Sequence, residues 1–417
     1  MLDLLKRLVR SPSPALLEVE APGPEAPVSS LAVLNVRVTA REPLEARLEL
    51  LAEGRDEPLY SAPRRVGPAG ETVRLTLHAH LLPEGVQRLR VRLLGTKGGL
   101  LAETPVTLTV PALNSLGATV AESLRRSHAP LVIDGDCDSG LYDYTDPALR
   151  PWFDQPEDVA LAHIAGLEAS GRADADEAQA LRHFVREGYL AMENVLGAEQ
   201  LAALNLALDD AVATGREGYA WGSSQRLHSL HEHYPAVRDL WLHPKVLKML
   251  DLIFGAPARP CQSLTYVFGS QQEHHQDTIH LTPFPAGYMC GVWTALEDVQ
   301  PESGELMVFP RSHRLPRVYT RTVDLPKVRD EDWNQFGQTV TPYWTNLINE
   351  GGFAPEPYRP KAGSVLIWHE NLMHGGSVRR DLEKSRRSIV CHYFAEGAVA
   401  YYDSSGLPGA MYMGPRG

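Results

Sequence analysis

Two histidines and an aspartate stand close together in EHHQDTIHL, residues 273–281, and their types suit metal chemistry. In an extended segment, side chains at i and i+2 share a face, so His275 pairs with Asp277 while His274 points away with Gln276. A neutral imidazole beside a carboxylate offers two cis ligands to a divalent metal; taken alone, the same pair is no more than a hydrogen-bonded couple. A third donor must come from a distant segment. His374 in WHENLMHGGS follows the apolar run GSVLIWH and precedes Gly375 and Gly376, which makes it the preferred third ligand over His369. Two imidazoles and one carboxylate leave half of an octahedral sphere open, the arrangement that suits non-haem Fe(II) working with O₂. Zinc accepts similar donors, but the HExxH pattern of many hydrolytic zinc sites is absent from the sequence.

A 2-oxo acid chelating such a metal leaves its far carboxylate in need of a fork of donors, which arginine supplies in bidentate fashion. In KSRRSIVCHYF, alternation separates Arg386, Ser388, Val390 and His392 from Arg387, Ile389, Cys391 and Tyr393. The first face is the more polar, so Arg386 is preferred to Arg387 as the anchor, with Ser388 as its helper. Gln262 and Gln272 flank a strand that runs toward the candidate ligands; Gln262 is assigned to the cosubstrate and Gln272 to the substrate. His280, three residues past Asp277, and His392 are candidates to face the substrate. Residues 314–360 read as a long irregular insert, and within them Tyr343 and Trp344, with Trp333, are candidates for a substrate wall.

The elements that must hold these residues fall into two patterns. Residues 16–112 alternate apolar and polar positions, as in LNVRVTA, TVRLTLHA, RLRVRLLG and PVTLTV, with breaks at VGPAGE and LPEGVQ. Period 2 predicts about seven short antiparallel strands and a β-sandwich of immunoglobulin or fibronectin type. Residues 1–15 form an N-terminal segment with a short apolar face and no signal-like apolar run. Residues 113–175 read as a connector whose Asp134, Asp136, Asp138, Asp143 and Asp146 are turn-formers, because no Glu closes an EF-hand loop. From 176 the period becomes helical in EAQALRHFVREGYLAMENVL, GAEQLAALNLALDDAVATG and HPKVLKMLDLIFG. Beyond 260 come the strands QSLTYVFGS, MCGVWTALED, ELMVFP, GSVLIWH and RSIVCHYF, so 176–417 is expected to be an α+β domain centred on a jelly roll.

Over residues about 180–396 the sequence resembles the phytanoyl-CoA dioxygenase-like Fe(II)/2-oxoglutarate oxygenases. The resemblance is carried, in order, by HFVREGYLAMENVLGAEQLAAL, GSQQEHHQD, VWTALEDVQPESGELMVFPRSHRLP, AGSVLIWHENLMHGGS and SRRSIVCHYF. It implies a double-stranded β-helix fold, iron held by His275, Asp277 and His374, and 2-oxoglutarate held by Arg386. It also implies that Trp293 lies near the cosubstrate. The implied reaction consumes O₂, with ascorbate as a possible reductant, hydroxylates a small-molecule, lipid or glycan-type substrate, and releases succinate and CO₂. Desaturation or epimerisation at the same iron, and a non-catalytic scaffold on the same fold, are the alternatives. Arg311 departs from the family, which usually has Gly there in the turn PRSH.

Composition excludes several classes. With a formal net charge of −12 and no basic stripe, the chain lacks the footprint of a nucleic-acid binder. No run approaches the length of a transmembrane helix. Four cysteines without CxxC spacing predict reduced thiols and a cytoplasmic protein. The oligomeric state carries no signal in the sequence.

Overall fold

The computed structural model describes residues 15–416, so the segment expected over 1–15 lies, apart from Ala15, outside the described residues. The chain divides into two compact units, one of residues up to 113 together with 124–137, the other of 114–123 together with 138 onward.

In the first unit the period-2 pattern becomes β1 (Ala15–Glu20), β2 (Leu31–Ala40), β3 (Leu44–Ala52), β4 (Tyr60–Val66), β5 (Glu71–His78), β6 (Gly85–Gly95), β7 (Leu100–Val110) and β8 (Val132–Asp134). They form two antiparallel sheets, β1-β2-β5-β8 and β4-β3-β6-β7. Register brings like to like: Val36 lies opposite Val73, Leu48 opposite Leu93, and Leu50 opposite Val91. The inward rows of both sheets, among them Leu34, Leu75, Leu48 and Leu93, share one core. Each such fully buried side chain contributes ~1.5–3 kcal/mol relative to exposure.

The expected connector 113–175 does not stand as a separate piece, because its apolar side chains are claimed by both units. Strand β8 pairs with β5 in the first. Helix α1 (Ser115–Arg126) follows β7 in sequence. In the second, Phe153 and the Ala160, Ile164 and Leu167 stripe of α2 (Glu157–Ala169) enter the main core. Asp138, Asp143 and Asp146 accept backbone N–H bonds from Gly140, Thr145 and Ala148, the turn chemistry expected of them.

The second unit opens with α3 (Ala175–Glu187), started by an Asp174/Glu177 capping box and ended by Gly188 at φ +84°, a left-handed stop. Then follow β9 (Tyr189–Met192), α4 (Ala198–Ala213), β10 (Leu227–His228), α5 (Pro235–Trp241) and α6 (Pro244–Phe254). The later strands are β11 (Ala258–Tyr266), β12 (Thr282–Phe284), β13 (Met289–Ala295), β14 (Leu306–Val308), β15 (Glu356–Tyr358) and β16 (Val365–His369). The last four are β17 (His374–Gly376), β18 (Ser388–Ala395), β19 (Val399–Tyr402) and β20 (Leu407–Pro408). A six-stranded antiparallel sheet runs β10-β11-β18-β13-β16-β9, with smaller sheets β15-β14-β17 and β12-β19-β20.

The large sheet is buried on both faces, which is why its central strands read as continuous apolar runs. One face (Val292, Ile367, Ile389, Tyr393) packs on Leu181, Phe184, Leu204 and Leu250 of the helices. The other (Tyr266, Trp293, Leu366, Trp368, Val390) meets Leu306 and Val308 of β14. Arg386 and His392 belong by alternation to this second side.

The insert 314–360 is not irregular throughout. Residues Asn334–Gly351 form the 18-residue helix α7, with Phe336, Val340, Trp344 and Ile348 buried at a spacing of four. Gly337 and Pro342 interrupt the helical signal in the sequence, but the apolar row outweighs them. Arg311 adopts φ +69°, the left-handed region where Gly is at ease, which accounts for the family's preference at this turn. Among the described residues, no helix is long and apolar enough to cross a membrane.

Candidate metal centre and cosubstrate pocket

His275, Asp277 and His374 each present one donor atom, all within 4.8 Å of one another, and all three residues are buried. The arrangement is not the strand alternation expected. His275 sits on an isolated bridge to His374, with paired backbone bonds of 2.9 and 3.1 Å. Asp277 begins a short 3-10 turn, Asp277–Ile279, whose curl brings its carboxylate back toward both rings. Asp277 Oδ1 lies 3.6 Å from His275 Nε2 and 3.8 Å from His374 Nε2. The glycines after His374 are steric necessities: a Cβ on Gly375 would lie 2.9 Å from the Gln272 carbonyl, and one on Gly376 would lie 2.8 Å from the Gln271 nitrogen.

The protonation pattern suits ligation. His275 Nδ1 lies 2.8 Å from the Glu273 carbonyl and His374 Nδ1 lies 3.0 Å from the Leu372 carbonyl. A carbonyl can only accept, so each Nδ1 carries the proton and each Nε2 keeps its lone pair for a metal. Burial, reinforced by His374, pushes His275 down to about 3, which keeps it neutral at ordinary pH. Burial alone would raise the Asp277 carboxyl, but His374, His392 and His275 around it hold it well below the usual carboxylate range. The residues present therefore fit a divalent metal with two neutral imidazoles and one carboxylate.

These groups line a cavity of about 860 Å³. Arg386 enters it almost fully buried, at 2% exposure, and its Nε has no hydrogen-bond partner. Its guanidinium carbon lies 5.6 Å from the Tyr266 ring and 5.5 Å from the Trp293 ring, and no carboxylate among the described residues forms an ion pair with it. Burial lowers its pKa to about 10, partly offset by Tyr266, Glu305 and Glu297. Arg387 takes the opposite course, pairing with Asp209 of α4 at 2.7 Å and with Asn205 at 3.1 Å. Ser388 shares the Arg386 face; its buried hydroxyl has no partner, and it does not line the cavity.

The other candidates separate clearly. Trp293, Gln262, Gln272, His280, Trp344 and His392 all line the cavity. Gln272 Nε2 lies 3.3 Å from His275 Nε2, and Trp344 Nε1 donates to buried Gln276 at 3.1 Å. His280, pushed down to about 4 by burial, stands beside the rings of Trp333 and Phe336. Tyr343 is not in the wall; it packs half-buried on the α7 cluster, because its neighbour Trp344 takes the cavity side of the helix. His274 bonds Thr345 Oγ1 at 3.0 Å, away from the triad. His369 faces Asp154 at 3.4 Å and is not a ligand.

Two contacts to Asp277 escape a sequence reading. Trp368 Nε1 donates to Asp277 Oδ2 at 2.8 Å, and His392 Nε2 lies 3.5 Å from the same oxygen. The signal for the first is Gly291, on the neighbouring strand: a Cβ there would lie 2.2 Å from the indole, so only glycine lets Trp368 lie flat across β13. The phenol of Tyr266 and the guanidinium of Arg226, both on the cavity, were likewise unmarked.

Residues 184–387 match the family model described as phytanoyl-CoA dioxygenase (PhyH). Phytanoyl-CoA dioxygenase domain-containing protein 1 of Mus musculus is 30% identical over 178 residues, 41% of this chain and 57% of that protein. The chain thus spans little more than half of that relative's length. Ectoine dioxygenase of Nocardia farcinica (strain IFM 10152) is 27% identical over 275 residues, 61% of this chain and 90% of the relative. Among solved structures, the non-haem alpha-ketoglutarate-dependent carbocyclase SnoK from nogalamycin biosynthesis aligns at 20% identity and a TM-score of 0.45, covering 57% of this chain and 94% of its own.

Proposed function

We propose that the chain, whose residues 184–387 match the phytanoyl-CoA dioxygenase family model, is an Fe(II)- and 2-oxoglutarate-dependent dioxygenase. In this reading it hydroxylates a small-molecule, lipid or glycan-type substrate and releases succinate and CO₂. The observation that carries the reading is Arg386, a buried guanidinium with an orphan Nε and no ion-paired acid among the described residues, in the same cavity as the triad. A buried unpaired cation costs several kcal/mol, on the order of the penalties known for buried ions, and is retained where an anion completes it. The far carboxylate of 2-oxoglutarate is an anion of the right chemistry for that fork.

Bound iron supplies the activation of O₂ coupled to decarboxylation of the 2-oxo acid. The chain's own residues do the rest. His275 and His374 present their Nε2 lone pairs, and Asp277 supplies the negative charge. Trp293 walls the cosubstrate side, with Gln262 as a further polar contact and Ser388 behind Arg386. His280, Trp344, Gln272 and His392 face the remaining volume and would orient substrate and exclude water. Tyr343 is left outside this set. Asp277 occupies the carboxylate position whose loss would open a halide site, so oxygen transfer is the favoured outcome.

The N-terminal sheet pair is proposed as an immunoglobulin or fibronectin-type sandwich, on the strength of its strand order. The unbridged thiols Cys261, Cys290 and Cys391 support a reducing, cytoplasmic setting. Incubation with metabolite extract, O₂, Fe(II), ascorbate and 2-oxoglutarate tests the function. A substrate gaining one oxygen, with stoichiometric succinate, is expected. Failure to consume 2-oxoglutarate under any condition would favour a non-catalytic scaffold, and a mass loss of two hydrogens would move the outcome to desaturation.

A further inference from the structure

The roles assigned above leave a set of buried charges unused. Glu370 is fully buried, and its Oε1 accepts bonds from Arg317 Nε at 2.8 Å and from the Gly287 N–H at 2.9 Å. Arg317 Nη2 donates to Asp154 Oδ2 at 2.9 Å, and Asp154 Oδ1 lies 3.4 Å from His369 Nε2. Drawing such ions out of water is expensive. Apolar replacements of similar volume are often neutral or stabilising, so stability alone is a poor reason for the network.

The backbone of the same residue supplies a better reason. The Glu370 carbonyl accepts the N–H of Asp277 at 2.9 Å and that of Thr278 at 3.2 Å, pinning the start of the turn that carries the carboxylate ligand. Two residues earlier, Trp368 donates to the Asp277 carboxylate. Two residues later, the Leu372 carbonyl orients the His374 ring, and His374 itself is bridged to His275. Segment 368–374 thus touches every candidate ligand, and the Glu370 side chain ties it to Arg317 and Gly287. Asn371 adds neutral ties, its amide donating to the carbonyls of His313 and Leu315.

We propose that the Asp154–Arg317–Glu370 network is a positioning device for the metal centre. It locks segment 368–374, and through that segment holds the Asp277 carboxylate and the His374 ring in ligating geometry. The inference rests on the metal-centre reading above. None of the three is among the candidate ligands; each would act through the segment it holds, as outer partners of metal ligands do.

The test uses full-length, metal-free protein and Mn(II) as a redox-inert probe of the Fe(II) site. Wild type is compared with Asp154→Leu/Arg317→Met/Glu370→Met, in which the buried ions give way to apolar side chains of similar volume, with thermal melting followed in parallel. The triple variant should melt at or above the wild-type temperature, yet bind Mn(II) about 10- to 100-fold more weakly. Wild-type affinity in that variant overturns the proposal, as does a loss that only follows a lowered melting temperature. Should the triple variant not fold, Glu370→Gln carries the test, with about 10-fold weaker Mn(II) binding expected well below its melting point and unchanged affinity as the contrary result. A wild type that binds no Mn(II) removes the metal-centre reading itself. Tight and equal binding by wild type and variants removes only the positioning network.

Discussion

The core of the N-terminal sheet pair is built from aliphatic rows such as Leu34, Leu48, Leu75 and Leu93, and its buried Glu49 meets Arg92 at 2.9 Å. The second unit buries a different cargo: Arg386 with no ion-paired acid among the described residues, His392 with an idle Nδ1, and three histidines around one aspartate. In the first interior the buried carboxylate has its cation, although Arg92 Nε and Thr76 Oγ1 lie buried without a hydrogen-bond partner among the described residues. The second has polar groups whose partners are missing from the protein itself. What sets the second interior apart is a buried guanidinium with no ion-paired acid among the described residues, in one cavity with two histidines and an aspartate, and that combination supports the proposed ligand site.

The contrast can be broken first at Asp277. Asp277→Ala should weaken Mn(II) or Fe(II) binding by more than ~100-fold, beyond the loss typical of outer-sphere partners, as read by calorimetry. Arg386→Met comes next: 2-oxoglutarate binding should fall roughly 10- to 100-fold, the loss of charge-assisted hydrogen bonds, while metal affinity holds. The same substitution should raise the melting temperature of the ligand-free protein, because it removes an unpaired buried cation; a lowered one would mean that Arg386 serves the fold. In the first interior the signs reverse. Leu48→Ala should cost about 2–5 kcal/mol in unfolding of the N-terminal unit and leave Mn(II) affinity unchanged.

Acid should act on both units through buried neutral histidines. Burial pushes His78 in the first unit down to about 4 and His313 in the second down to about 3, from an ordinary 6.5. The unfolded chain then binds more protons than the folded one below 6.5, so stability falls as pH drops from 6.5 toward those values. His78→Gln should flatten this acid limb for the N-terminal unit alone, in denaturant melts at successive pH. The smallest effect belongs to Arg387→Ala. Its partly exposed pair with Asp209 predicts a loss of up to ~1 kcal/mol and unaltered 2-oxoglutarate binding, a direct control on the choice between adjacent arginines.

Legibility followed the same divide. Alternation in 16–112 announced the strands because one face of each sheet is wet and the pattern survives. In the second unit β13, β16 and β18 are covered on both faces, so periodicity reveals burial but not which side holds chemistry. The side could be chosen only where polar residues recur on alternate positions, as in Arg386 and Ser388. His275, Asp277 and His374 were readable from their types and order, though the curl at Asp277 that brings them together was not. Helix α7 was hidden by Gly337 and Pro342. Trp368 and the Arg317 network depend on side chains meeting from distant segments, and a single sequence carries no mark of such meetings beyond a glycine such as Gly291.

Anaerobic titration of Fe(II) into protein and 2-oxoglutarate, followed in the visible, tests the metal centre most directly. Wild type should develop a weak charge-transfer band, Asp277→Ala none, and Arg386→Ala only at far higher 2-oxoglutarate. A wild type that shows no band and binds neither partner, or a full band in Asp277→Ala, would contradict the assignment.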